Sequence, residues 1–255
     1  MSALPRTPNF RVDGRRALVT GAGRGIGLAA AAALAQAGAE VTLAARSEAE
    51  LHEACARIRS EGGQCSHLVL DVTNARAVDA ALAAAAPFQI LVNNAGLNRP
   101  KPLVEVEDDD IDAVLDLNVK AAFYVTRGVT RALLAGGMAG SIINISSQMG
   151  VVGSARRTLY CASKHAMEGM TKALAWELGS SGIRVNTVCP TFIETSMTAG
   201  MFADGAFRSW VIERIALGRL GQVEEIMGAI VFLASDASSL MTGSALMLDG
   251  GWSAA

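Results

Sequence analysis

Tyr160 and Lys164, four residues apart, are the pair in this sequence whose types and spacing point most directly to chemistry. In a helix, residues at this spacing share one face, so the phenol and the ammonium would be neighbours. A free phenol has a pKa of about 10, which is too high for easy proton exchange at neutral pH. A nearby cation favours the phenolate and lowers that pKa. We therefore predict that Tyr160 is a general acid or base and that Lys164 tunes it.

Ser147 precedes this pair and ends the apolar run Ile143-Asn144-Ile145-Ser146-Ser147. If that run is a strand, its end and the start of the Tyr160 helix open on the same crevice. A hydroxyl there can hold a carbonyl oxygen beside Tyr160, although a serine at such a place can also simply cap a turn. The three residues together predict acid–base chemistry on a carbonyl group.

A glycine-rich stretch follows the first apolar run and opens a predicted helix. Glycine lets the backbone turn tightly and approach a diphosphate closely, and the free N–H groups of a helix start favour its negative charge. A strand before and a helix after such a turn are the context that a dinucleotide site requires. The residues predicted to contact the cofactor are Gly21, Gly23, Arg24, Gly25, Ile26 and Gly27.

The choice of cofactor is predicted from the end of the second strand, Ala44-Ala45-Arg46. NAD-binding versions of such a site place a carboxylate near this point, where it holds the ribose hydroxyls. Here Arg46 follows the strand, and Arg24 of the glycine-rich turn can point to the same place. Two guanidinium groups suit a 2′-phosphate, so NADP(H) is predicted. The alternative is that both arginines are solvated surface residues.

The elements that must position these residues alternate between short apolar runs and longer helical patterns. Unbroken apolar runs are typical of parallel strands covered on both faces, so we predict one doubly wound α/β (Rossmann) domain over residues 1–255, with a parallel seven-stranded sheet. Residues 1–12 are predicted to be a tail and residues 191–215 a segment that covers the substrate. Residues 111–134 are predicted to form one long helix. The predicted strands are 17–20, 41–44, 67–70, 90–93, 141–146, 184–188 and 245–248.

Composition excludes several classes of protein. The formal net charge of −2 argues against a nucleic-acid partner, which usually requires a basic face. No apolar run is long enough to span a bilayer, so no membrane partner is expected. The four cysteines form no Cys-x-x-Cys pair and the three histidines are scattered, so we predict free thiols, a cytoplasmic location and no metal site.

The chain resembles the short-chain dehydrogenase/reductase family over nearly its whole length. The motifs that carry the resemblance are the glycine-rich turn, Asp71-Val72, Asn93-Asn94-Ala95-Gly96, Asn118, Ser147 and Tyr160-x-x-x-Lys164. The family implies hydride transfer between a nicotinamide and a carbonyl carbon, with a small-molecule substrate. It also implies a homotetramer in which the C-terminal segment near Trp252 packs on another subunit; folding back onto its own domain is the alternative.

The resemblance also assigns further residues. Asp71 and Val72 would flank the adenine, and Asn118 would support a proton relay through water. Tyr160 and Lys164 would also contact the nicotinamide ribose. One departure is Thr191, which follows Pro190 where the family usually has glycine, and its β-branched side chain restricts the backbone there. The other implied cofactor contacts are Asn94, Ala95, Gly96, Pro190, Ile193 and Thr195.

The substrate is predicted only in outline, from the loop between Ser147 and Tyr160. Its candidate contacts are Gln148, Met149, Val152, Arg156 and Arg157. An arginine there can bind the carboxylate of a sugar acid, whereas the aromatic content of residues 191–215 favours an apolar or cyclic ketone. A 3-oxoacyl-carrier-protein reductase, a dehydratase or epimerase, and a non-catalytic dinucleotide-binding regulator are the alternatives.

Overall fold

A computed structural model describes residues 4–254; residues 1–3 of the predicted tail and residue 255 lie outside the described range. Seven parallel strands form one sheet in the order β3-β2-β1-β4-β5-β6-β7. This confirms the predicted doubly wound fold. The strands are β1 Arg16–Thr20, β2 Glu40–Ala45, β3 Gln64–Val69, β4 Ile90–Asn93, β5 Gly140–Ile145, β6 Ile183–Pro190 and β7 Ala245–Leu248.

Helices cover both faces of the sheet and bury its apolar residues in two main clusters. One cluster joins β1 and β2 to α1, α2 and α9, and the other joins the opposite face to α3 and α5. Because the central strands are covered on both sides, their side chains are apolar without alternation. The helices are α1 Gly25–Gln36, α2 Glu48–Ser60, α3 Ala75–Ala84, α4 Asp108–Leu115, α5 Ala121–Ala135, α6 Thr158–Leu178, α7 Ser196–Ala199, α8 Gly205–Ile212 and α9 Glu224–Ala234.

The prediction of one continuous helix over residues 111–134 is wrong, because the helix is interrupted. The helix begins at Asp108, where the acidic triplet Asp108–Asp110 favours a helix start, and it is then interrupted by a π-helical turn at Asp116–Lys120. The side chain of Asn118 lies in that turn and bonds to the backbone of Leu97 and to Ser163. Apolar periodicity cannot reveal one extra residue in a turn, and such turns are frequent at functional sites.

Several strand and tail boundaries also differ from the sequence prediction by one to three residues. Strand β3 begins at Gln64 instead of His67, because an edge strand tolerates polar residues that a search for apolar runs excludes. The predicted tail ends before Val12, which is buried and whose N–H donates to the carbonyl oxygen of Ala37 at 2.9 Å. Within residues 4–254, no helix has both the length and the apolar content to cross a membrane.

Gly27, at the start of α1, provides a direct test of the close packing that the fold imposes on the glycine-rich turn. A β-carbon there would collide with the carbonyl oxygen of Gly21 and with the side-chain amide of Asn94. Gly27→Ala is therefore expected to lower the free energy of unfolding by about 1–3 kcal/mol, as overpacking does. Thermal or denaturant unfolding measures this change.

The matched control is Gly228→Ala in α9, where a β-carbon meets nothing within 4 Å. Alanine is the better helix former, so this variant should gain up to about 1 kcal/mol. Equal stability changes in the two variants would contradict the packing argument.

Candidate active site

A cavity of about 530 Å³ lies at the carboxyl ends of the central strands. The order of the strands reverses between β1 and β4, and ligands bind at such a reversal in open α/β sheets. Four of the predicted site residues do not line the cavity: Gly27, Asn118, Val152 and Arg156. The predicted residues that do line it are Gly21, Gly23, Arg24, Gly25, Ile26, Arg46, Asp71, Val72, Asn94, Ala95, Gly96, Ser147, Gln148, Met149, Arg157, Tyr160, Lys164, Pro190, Ile193 and Thr195.

The glycine-rich turn is held against β4 by a short hydrogen-bond network. Thr20 Oγ1 accepts the backbone N–H groups of Asn94 and Ala95 at 3.1 and 3.2 Å. The side-chain amide of Asn94 donates to the carbonyl oxygens of Thr20 and Gly21, both at 3.0 Å. Gly21 has φ of +62°, a conformation that favours glycine. Asn94 therefore positions the turn through its side chain.

The far end of the cavity brings two cations and two carboxylates together. Arg24 donates to Glu50 at 2.6 Å, while Arg46 lies near Asp71. The pKa of Asp71 is lowered mainly by its hydrogen bonds from Thr73, with a smaller contribution from the Arg46 cation. Glu50 lines the cavity and was missed by the sequence analysis, because nothing in the local pattern of α2 distinguishes it from its solvated neighbours.

The near end of the cavity contains Ser147, Tyr160 and Lys164. The ammonium of Lys164 donates to the carbonyl oxygen of Ile145 at 2.7 Å and lies 5.5 Å from the centre of the Tyr160 ring. Ser147 Oγ donates to Gln148 Oε1 at 2.7 Å and accepts the N–H of Met149 at 3.1 Å. The structure thus brings the phenol, the ammonium and the serine hydroxyl together, as their spacing predicted.

The pKa of Tyr160 in the chain by itself is raised, and the predicted lowering of that pKa by Lys164 stays a prediction. Burial raises the pKa of Tyr160 above its ordinary value, because a phenolate loses hydration there. The nearby hydroxyl of Ser147 and the charge of Arg157 oppose that increase to a smaller extent. Burial also lowers the pKa of Lys164 to about 8, so this ammonium loses its proton at a lower pH than an exposed lysine does.

Asn118 is fully buried, and its side chain is committed to holding the loop after β4. Its Oδ1 accepts the N–H of Leu97 at 2.8 Å, and its Nδ2 donates to Leu97 O at 2.9 Å and to Ser163 Oγ at 3.0 Å. Ser163 lies next to Lys164 on α6. Asn118 therefore ties the π-helical turn to the catalytic helix, and its predicted part in a proton relay stays a prediction.

The segment after β6 runs along the cavity and contributes several of its lining residues. A β-carbon on Gly25 would lie 3.6 Å from Thr195 Cγ2, so the glycine-rich turn and this segment face each other. Arg156 is the one non-glycine residue of the described chain with a positive φ, so Thr191 keeps an ordinary backbone conformation. The replacement of glycine by Thr191 is thus accommodated without left-handed strain. Residues of this segment that the sequence analysis did not name as contacts are Phe192, Ser196, Thr198 and Met201.

The C-terminal segment folds back onto its own domain. The ring of Trp252 lies 5.9 Å from that of Phe192 and 5.8 Å from that of Trp210. Phe202 and Phe207 complete the same aromatic cluster. Trp252 nevertheless stays partly exposed, so the contact of this segment with another subunit stays a prediction.

Comparisons with known proteins agree with this geometry. The model of the family described as Enoyl-(Acyl carrier protein) reductase, a short-chain dehydrogenase/reductase family, matches residues 21–253. The chain belongs to the short-chain dehydrogenase/reductase family. D-erythrulose reductase of Gallus gallus is 41% identical over 96% of this chain and 98% of that protein. The membership confirms the family resemblance, and with it an oxidoreductase that acts on CH–OH groups.

Two solved structures of short-chain dehydrogenases are also similar along the whole chain. One is a putative 2-deoxy-D-gluconate 3-dehydrogenase of Agrobacterium tumefaciens with bound NADP, 43% identical, with a TM-score of 0.93 over 98% of this chain and all of that one. The other is a gluconate 5-dehydrogenase of Burkholderia cenocepacia in complex with NADP and tartrate. It is 40% identical, with a TM-score of 0.93 over 96% of this chain and 98% of that one.

The pKa of Tyr160 can be measured directly, because the chain contains only two tyrosines. Subtracting the phenolate absorbance titration of Tyr160→Phe from that of the unmodified protein leaves the signal of Tyr160 alone. Since burial disfavours the phenolate, the midpoint should lie above the ordinary value of about 10. Adding NADP⁺, whose ring is positive, should move the midpoint down. A midpoint below 10 without the cofactor would contradict the dominance of burial.

Proposed function

We propose that this protein is an NADP(H)-dependent oxidoreductase that interconverts a ketone and a secondary alcohol, with Tyr160 as the general acid or base. The observation that carries the proposal is one continuous cavity. It joins the glycine-rich turn and two arginines at one end to Ser147, Tyr160 and Lys164 at the other. A dinucleotide site and a proton donor thus open on the same space, which is what hydride transfer coupled to proton transfer requires.

The cofactor end suits a dinucleotide with a 2′-phosphate. Gly27 has no room for a β-carbon against Gly21, so the turn presents its backbone at the start of α1, where N–H groups are free for a diphosphate. Arg24 and Arg46 both line the cavity and can each donate to a phosphate. The two solved structures described above contain NADP, which supports the same choice.

Each residue of the catalytic end has a separate part. The bound cofactor supplies or accepts the hydride. Ser147 holds the carbonyl oxygen, and Tyr160 gives that oxygen a proton or removes it. An ammonium has three N–H donors, and Lys164 uses one on Ile145, so the others remain for Tyr160 and the nicotinamide ribose. Asn118 holds the π-helical turn against α6, which positions this group.

The substrate class that the relatives support is a polyhydroxylated ketone or alcohol, either a sugar or a sugar acid. These relatives are named for erythrulose and for gluconates. The apolar or cyclic alternative has less support, because the rings of Phe202, Phe207 and Trp210 pack mainly on each other. The buried amide of Gln148, which accepts a hydrogen bond from Ser147, adds polar character at the catalytic end.

A carrier-protein reductase is the second candidate, since the matching family takes its description from such an enzyme. Docking an acidic carrier would require free basic residues near the cavity. Arg127 and Arg131, the candidates on α5, both lie against Asp79, at 3.0 and 3.8 Å. This pairing favours the small-molecule substrate. A non-catalytic regulator would not need Ser147, Tyr160 and Lys164 in one cavity.

The proposal includes a homotetramer in the cytoplasm. Trp176 on α6 is 92% exposed and Phe123 on α5 is half-exposed, which supports contact between subunits on these helices. The buried residues Cys161 and Cys189 are free thiols, which suits a reducing compartment.

Tyr160→Phe tests the proton transfer. Removing a general acid costs about 10²–10⁴-fold in turnover, so the variant should lose at least 100-fold in kcat for any ketone that the unmodified enzyme reduces. NADPH binding, measured by its fluorescence, should stay within threefold, which separates lost chemistry from lost folding. Turnover within tenfold of the unmodified enzyme would refute the role of Tyr160.

Ala45→Asp combined with Arg46→Leu tests the cofactor choice. The carboxylate can hold ribose hydroxyls and repels a 2′-phosphate, while the arginine contact is lost. Loss of one charge-assisted hydrogen bond costs about 1.5–3 kcal/mol, so the ratio of kcat/KM for NADPH over NADH should fall by at least tenfold. Arg57→Leu on the exposed side of α2 is the control. An unchanged ratio in the double variant would exclude this phosphate site.

A further inference from the structure

Arg157 is a buried cation in the cavity without a carboxylate partner. We infer that Arg157 binds a carboxylate of the substrate, so that the enzyme selects hydroxy acids and keto acids over neutral sugars and polyols. This inference rests on the proposed oxidoreductase function and deepens it. It decides between the two kinds of relative described above, one named for a neutral ketose and the others for sugar acids.

The contacts of the Arg157 guanidinium leave most of its donors free. Only 8% of the residue is exposed. Its Nη2 lies 3.7 Å from the sulfur of Met201, and its central carbon lies 5.7 Å from the centre of the Phe192 ring. No acidic residue in the range 4–254 lies within ion-pair distance of it. A guanidinium carries five N–H donors, and a thioether is a weak acceptor for one of them.

Such a cation is costly to the folded chain. Removing a charge from water without a partner destabilises a protein, and burial lowers the pKa of Arg157 for the same reason. Arg24, at the other end of the cavity, is exposed and has Glu50 as a partner. The face of the Phe192 ring and the Met201 sulfur offset its charge only weakly, whereas a bound carboxylate would accept paired hydrogen bonds from it.

Arg157 and Tyr160 lie close enough for one small molecule to contact both. The two residues are three positions apart where α6 begins, so they lie about one helical turn apart, and both line the cavity. A substrate whose carbonyl lies at Tyr160 can therefore place a carboxylate a few carbons away at Arg157. Phe192 and Met201 lie against the guanidinium, and its burial limits contact with water, which strengthens an ion pair.

Arg156, the neighbouring residue, provides an internal comparison. It is exposed, has φ of +62° and does not line the cavity. The sequence offered both arginines as substrate contacts, and the structure directs only Arg157 into the site. Arg157→Met removes the cation but keeps a long apolar side chain against Phe192, and Arg156→Met serves as the matched control.

The experiment compares substrates that differ only in the carboxylate. Oxidation by NADP⁺ is measured for gluconate and for glucitol, in which a hydroxymethyl group replaces the carboxylate, and for further hydroxy acids with their polyols. The unmodified enzyme should prefer the acids. Hydrogen bonds to a charged group contribute about 1.5–3 kcal/mol, so Arg157→Met should lower kcat/KM for the acids by about 10- to 150-fold. The value for polyols and the KM for NADP⁺ should stay within threefold.

Two binding measurements keep the inference testable apart from turnover. Succinate, which has carboxylates but no group to oxidise, should stabilise the NADP⁺ complex of the unmodified enzyme and of Arg156→Met, but not that of Arg157→Met. Because an unpaired buried cation is removed, Arg157→Met should unfold at an equal or higher temperature.

The outcomes separate the two proposals. Preference for polyols, an equal loss for acids and polyols in Arg157→Met, or a lowered unfolding temperature of that variant would overturn the carboxylate site and leave the oxidoreductase function intact. Equal use of sugar phosphates and acids would show recognition of any anion and would also overturn it. If no ketone or alcohol is converted at all, the proposed function fails, and succinate binding alone decides the role of Arg157.

Discussion

Lys164 donates its buried ammonium to the carbonyl oxygen of Ile145 at 2.7 Å, and through this contact the first turns of α6 are tied to the carboxyl end of β5. The position of Tyr160, one turn earlier on α6, depends on the same contact. Burial works against the cation and lowers its pKa to about 8, while the neighbouring Glu168 and Cys189 act in the opposite direction. The site therefore holds a charged ammonium where hydration is poor, so hydrogen bonds to the protein must replace those that it would make to water.

Buried amide side chains supply that support beneath the cavity. Asn93 donates to Thr126 and Asn144, and Asn144 donates in turn to Thr171 on α6. Strands β4 and β5 are thereby joined to the helices on one face of the sheet. Buried polar groups are favourable only when they are hydrogen-bonded, and this network satisfies most of its donors internally. These bonds hold β4 and β5 against α5 and α6, and Asn118 likewise ties the π-helical turn to α6.

The arginines at the two ends of the cavity have different surroundings. At the far end, Arg24 has an acidic neighbour within the chain, so its cation is balanced and remains exposed. At the near end, Arg157 is buried without such a neighbour. An exposed pair is weakly coupled and easily rearranged around a phosphate. A desolvated cation attracts an anion more strongly than an exposed one, so it can separate charged from neutral substrates. Under our two proposals, cofactor binding and substrate selection rest on the same residue type in two environments.

The sequence alone determines the architecture of this protein and the residue types at its catalytic edge. Unbroken apolar runs separated by helical stretches require a parallel sheet, and the glycine-rich turn and the Tyr160–Lys164 spacing are local patterns that place chemistry at strand ends. Only the tertiary structure decided which of the adjacent residues Arg156 and Arg157 enters the cavity, and that the pKa of Tyr160 is raised. Burial depends on residues far away in the chain, such as Phe192 and Met201, and no spacing within a motif encodes their approach.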